Sequence, residues 1–179
     1  MTDTTKTTDT DHPAAPDGEV RALLAVLDGQ RRHVLGILDG LDDQALRRPV
    51  LPSGWHCLGL VQHLALDVER FWFCAVVAGD EDLIASLPSG DEAWHVAPDT
   101  PATDVLAGYR RDTARADAVI AATPADAPLA WWPHDLFSAP HLHTLRDVLL
   151  HVITETACHC GHLDAARELI DGRTWLVLT

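Results

Sequence analysis

Apolar residues recur at helical spacing in four stretches of this chain, and proline, glycine and polar residues separate them. The first stretch runs from about Glu19 to Leu38, with Val20, Leu23, Leu24, Leu27, Val34, Leu35 and Leu38 on one face. Gly40 stops it. The second runs from about Leu58 to Ala78 and stops at Gly79. The third, about Ala102 to Ala122, starts after Pro101 and ends before Pro124. The fourth, Leu145 to Ile170, stops near Gly172. Ala and Leu dominate the apolar set and β-branched runs are few, which favours helix over sheet. The pattern predicts an all-α fold.

The connections are uneven. Leu41–Cys57 carries Pro49, Pro52, Ser53 and Gly54, and Thr123–Thr144 carries four prolines, Trp131, Trp132, Phe137 and three histidines. Loops of this length in a small domain usually form functional walls or lids. Residues 1–18 are rich in Thr, Asp and Pro and read as a disordered lead-in. Residues 19–179 read as a single domain, with no internal repeat or composition shift to divide them. The apolar tail Trp175–Thr179 would cap the bundle or pair with a second copy in a homodimer.

Composition narrows the function. A formal charge of −14 with scattered Arg and a single Lys leaves no basic patch for nucleic acid. No apolar stretch approaches the length of a membrane span, and the N-terminus has no apolar core of a signal peptide. A cytoplasmic protein acting on a small molecule is expected, with its four cysteines reduced.

The candidate chemistry interrupts the apolar faces. At about 100° per residue, His151, Glu155, His159 and His162 fall within roughly 80° of one another. Leu145, Val148, Val152 and Leu163 share that arc. Ionisable groups buried there need compensation, which a metal ion can supply. On the second helix, His63 lies among Leu60, Leu64, Asp67 and Phe71 on the apolar side. Glu155 and His159 are neighbours one turn apart, and His63 from a facing helix completes a three-ligand set. Two His and one carboxylate suit Zn²⁺ best, and Ni, Fe or Mn also. The competing reading of the stripe is a hydrogen-bonded polar network. His151 and His162 are read as catalytic or substrate-facing groups. Cys57 sits at a helix start, where a helix dipole could favour a thiolate, but a small buried cysteine without a chemical role is the more common case and is the reading taken for each Cys. His134, His141 and His143 are read as surface groups.

Three segments carry a family resemblance. PSGWHCLGLVQHLALDVERFWF (52–73) resembles the helix-two signature of the DinB-like superfamily, in its DUF664 branch. HVITETACHCGHLDAARELIDG (151–172) resembles that branch's helix-four signature, and GQRRHVLGILDGLDDQALRRPV (29–50) its first helix and turn. The resemblance implies a four-helix bundle of DinB/YfiT type with long connecting loops. It also implies a metal site whose ligands fall on His63, Glu155 and His159. The related enzymes, mycothiol-dependent maleylpyruvate isomerases among them, use low-molecular-weight thiols as cosubstrates. The chain departs from the branch pattern at Cys158 and Cys160, which flank the ligand His, and at His56, where the helix-two cap is usually Ser or Thr. The expected function is a metal-dependent thiol S-transferase or isomerase acting on a small electrophile. A metal hydrolase using bound water, or a non-catalytic metal- or thiol-binding stress protein, are the alternatives.

Overall fold

The computed structural model describes residues 18–87, 90–139 and 141–175. Its long helices are α1 (Gly18–Leu38), α3 (Cys57–His63) with its continuation, α5 (Ala102–Ala122) and α6 (Leu145–Asp171). α2 (Asp43–Leu46), α4 (Glu81–Ala85) and a 3-10 turn (Glu92–Trp94) lie in the connections. No strand occurs among the described residues, only an isolated antiparallel bridge between Pro128 and Thr144. The fold is all-helical, as the apolar pattern predicts. The expected lead-in lies outside the described residues except for Gly18, which is already the first residue of α1.

α3 runs without a break into a π-helix, Leu64–Val77. Its wider winding is visible at its end, where the Ala78 N–H donates to the Phe73 carbonyl, five residues back, at 3.0 Å. The segment is apolar around most of its circumference and is buried accordingly, from Leu64 and Ala65 through Phe71, Trp72 and Phe73 to Val77. It packs against α5 and α6, while α1 packs along α6.

Polar ties cross this core. The Arg31 guanidinium of α1 grips both Glu69 carboxylate oxygens of the π-helix at 2.7 Å, in the planar two-pronged geometry that arginine favours. It also reaches Asp28 at 2.9 Å and Asp117 of α5 at 2.7 Å. Arg167 of α6 donates to the carbonyls of Ile37 and Asp39 at the end of α1, and Arg173 donates to Asp39 as well. Trp175 stacks on His33, with ring centroids 4.8 Å apart. A Cβ at Gly36 would sit 2.3 Å from that indole, so only glycine fits beneath it. The tail therefore reaches back to α1 at Trp175, and the remainder of the apolar tail lies outside the described residues.

Candidate metal centre

The centre is built where α3 meets α6. Thr144 opens α6 with a reciprocal cap: its side chain accepts from the Asp147 N–H, and the Asp147 carboxylate accepts from the Thr144 N–H at 3.0 Å. This fixes the phase of the helix that carries Glu155 and His159. His63 is the last residue of α3, at the junction with the π-helix. His159 Nε2 lies 3.1 Å and His63 Nε2 4.0 Å from Glu155 Oε1. One donor atom from each of the three residues lies within 4.8 Å of the others. A tetrahedral ion at about 2.1 Å needs donor separations of roughly 3.4 Å, so small side-chain rotations close the set. Two imidazoles and one carboxylate converging in this way fit a divalent first-row cation.

His63 is held on both sides. Its Nδ1–H donates to Asp67 Oδ2 at 2.9 Å, one turn along the same helix. That bond selects the tautomer whose Nε2 lone pair faces Glu155, an arrangement common behind metal-bound histidines. The Trp94 indole stacks on the other face of the system, 4.3 Å from the His63 ring at 18°, and meets His159 edge-on at 5.9 Å. The His63 and His159 side chains are 14% and 11% exposed, and that of Glu155 is 39% exposed. The carboxylate thus forms the open side of the centre. Burial, followed by the nearby His63, pushes His159 below the usual imidazole range and keeps it neutral, the form that can ligate.

The His stripe is placed differently from expectation. Of its four members only His159 is buried; His151 and Glu155 are half-buried and His162 is exposed. The buried face of α6 is rotated toward Leu149, Thr156, Cys160 and Arg167. The stripe therefore borders the core and faces an opening. His162 Nδ1 lies 3.3 Å from His159 Nδ1, with Trp55 beside its ring at 6.0 Å. His151 does not join the three donors. It packs edge-on against Trp72 at 4.6 Å, and burial lowers its pKa.

The family model described as mycothiol-S-transferase matches residues 22–172. The chain belongs to the mycothiol S-transferase family. No curated protein matches it. The matched span contains all three donor residues and the whole of α3, the π-helix and α5.

In this member of the mycothiol S-transferase family the cysteines stand apart from the donor set. All four are free. Cys57 is buried, and desolvation pushes its thiol up to about 11 despite its place at the start of α3, which opposes a thiolate there. Cys160 turns to α1, its S–H donating to the Gln30 carbonyl, and burial pushes it to about 12. Cys158 is exposed. His56 replaces the usual hydroxyl cap in function as well as position: its Nδ1 accepts from the Gly59 N–H at 3.0 Å. Burial lowers the His56 pKa, which preserves that lone pair. His134, His141 and His143 are exposed, as expected.

Trp94 was not foreseeable from helical spacing, because it arrives on a short 3-10 turn from a connecting loop. Its backbone carbonyl would lie 2.5 Å from a Cβ at Gly59, so glycine is what lets the turn settle on α3. Gln62 secures it by donating to the carbonyls of Ala93 and His95. Beside Trp94 lies an open cleft of about 430 Å³ with a mixed lining, in which Ser53, His56, Asp91 and His95 face the apolar Trp55, Trp94 and Val96.

Proposed function

We propose that this chain transfers a low-molecular-weight thiol of the mycothiol type onto a small electrophile, at a divalent cation held by His63, Glu155 and His159. The observation that carries the reading is the convergence of these three donors, with Asp67 locking the far nitrogen of His63, in a chain of the mycothiol S-transferase family. The family favours S-transfer over isomerisation. Zinc suits the donor set best.

A bound cation would hold the thiol sulfur as its thiolate at neutral pH. The chain's own residues do the rest. Asp67 and Trp94 fix the His63 ring from its Nδ1 side and its face. His162, exposed and in contact with His159, carries the thiol proton outward to solvent. His151, kept neutral by burial, stands one turn before Glu155 and faces the substrate as an acid or base. The cleft beside Trp94, where Ser53, His56, Asp91 and His95 offer polar groups, receives the body of the thiol.

The test is conjugation. Metal-loaded protein is incubated with mycothiol and a chromogenic electrophile, and with each alone. Enzyme-dependent adduct that disappears in Glu155→Ala supports the transferase. Ester or amide cleavage without any thiol would instead identify a hydrolase.

A further inference from the structure

A second cavity, of about 330 Å³, opens beside the candidate metal centre. Phe71 and Trp72 of the π-helix, Leu87, and the loop residues Leu136 and Phe137 line it, and Asp67 forms part of its wall. Asp67 is the residue that holds His63 at 2.9 Å. The cavity therefore starts one imidazole away from the converging donors. Its aromatic walls are braced against one another. Trp72 lies 5.1 Å from Phe71, nearly perpendicular to it, and 5.9 Å from Phe137, nearly parallel. Trp72 also supports His151, on the face of α6 that leads to Glu155. Leu136 is 67% exposed, an unusually open position for a large aliphatic side chain.

The charge of the lining is as informative as its shape. Among the described residues no Lys or Arg lines the cavity, and their one formal charge there is the Asp67 carboxylate. An electrophile carrying its own carboxylate would meet repulsion and no counter-ion, in a protein whose net charge is already −14. A flat uncharged molecule would cover aromatic surface without that penalty.

We propose that this cavity seats the electrophile, and that the electrophile is an uncharged aromatic or similarly flat apolar compound rather than a carboxylate-bearing one. The assignment rests on the transferase reading for its chemistry. With chlorodinitrobenzene as the probe, the thiol gives up its proton to solvent and its sulfur bonds to the chlorine-bearing ring carbon. The C–Cl bond then breaks, and chloride leaves with the electron pair.

Two measurements test the cavity and the chemistry separately. Calorimetric titration of the full chain, with neither metal nor thiol, compares unreactive dinitroaniline with aminodinitrobenzoate, its carboxylate-bearing counterpart. The neutral compound should bind at least about tenfold more tightly. Phe137→Ala should weaken its binding about tenfold. Leu136→Lys, a change at an exposed position, should improve binding of the benzoate. Equal binding of the two compounds, or binding that neither variant alters, overturns the proposal. The kinetic measurement compares chlorodinitrobenzene with chlorodinitrobenzoate under mycothiol. Phe137→Ala should raise KM for the electrophile and leave KM for the thiol unchanged; the reverse result overturns the proposal by assigning the cavity to the thiol. A wild-type chain that binds dinitroaniline selectively but forms no adduct would retire the transferase reading and leave the cavity assignment standing.

Discussion

Asp67 Oδ2 lies 2.9 Å from His63 Nδ1, one helical turn along, while the other nitrogen of the same ring faces Glu155. The carboxylate does not enter the donor set, yet it decides which tautomer His63 presents. Asp67→Asn keeps the size of the side chain and removes the charge that favours the Nδ1–H form. The variant should hold zinc about 10–100-fold more weakly, with unchanged helical circular dichroism. Competition with a chromogenic chelator measures this directly, and wild-type affinity would show that the pair is only a surface contact.

Removing a donor is more severe. Glu155→Ala or His159→Ala should each abolish stoichiometric metal while leaving the helical spectrum largely intact. Glu155 is partly exposed and its loss uncovers no core. His159 is buried, but its neighbours His63, Trp94 and His162 already form a polar rim rather than a packed apolar layer. Metal analysis of untagged protein is the measurement. Full metal content in both variants would mean that the donors lie elsewhere.

The long amphipathic stretches were legible because periodicity agrees with a stop signal at each of them, a glycine at three and Pro124 at the third stretch, which also starts after Pro101. Gly40, Gly79 and Gly172 all adopt the positive φ that terminates a helix. That Glu155 and His159 adjoin was legible because residues four apart on one helix are neighbours whatever surrounds them, while the approach of His63 from another helix could be read only from the apolar face it shares. Three features were hidden. The π winding after His63 leaves no mark in the apolar pattern, since the segment is buried on nearly every side. The position of the His stripe at the edge of the core depends on where α1 packs on α6, a tertiary choice. Trp94 reaches the site through a loop, and loops carry no period. At Cys57 the reading as a small buried cysteine agrees with the structure, where desolvation outweighs the helix dipole.

The buried pair Arg31–Glu69 gives a stability prediction. Glu69 is 1% exposed, and Arg31 is its charged partner. Glu69→Ala should cost about 3–5 kcal/mol in denaturant unfolding, because the guanidinium remains in the core with only Asp28 and Asp117 at its edge. Tyr109, packed nearby, has a buried hydroxyl with no hydrogen-bond partner among the described residues. Tyr109→Phe removes a desolvated polar group and should be neutral or stabilising by up to about 1 kcal/mol. A large loss in that variant would point to an internal water on the hydroxyl.

Stability should also fall in mild acid. Burial lowers the folded-state pKa of His151 and of His159, so the unfolded chain binds more protons than the folded one just below the ordinary imidazole value. Stability from these groups is complete above about pH 6.5 and declines as pH drops through it toward the lowered folded values. Urea midpoints of metal-free protein at about pH 7.5 and 5.5 measure the slope. His151→Gln should flatten part of it. An unchanged slope would place the acid sensitivity in other groups.

The four thiols should react unequally. Cys57, Cys74 and Cys160 are buried, and desolvation raises the pKa of each, so both access and thiolate formation are suppressed. Cys158 is exposed on α6, next to His159 in sequence. Titration of the native protein with a disulfide reagent should therefore release one equivalent promptly, and all four only after unfolding. Cys158→Ser should remove the prompt equivalent. If several thiols react at once in the native state, the packing of α6 against α1 is looser than the Cys160–Gln30 contact at 3.5 Å implies.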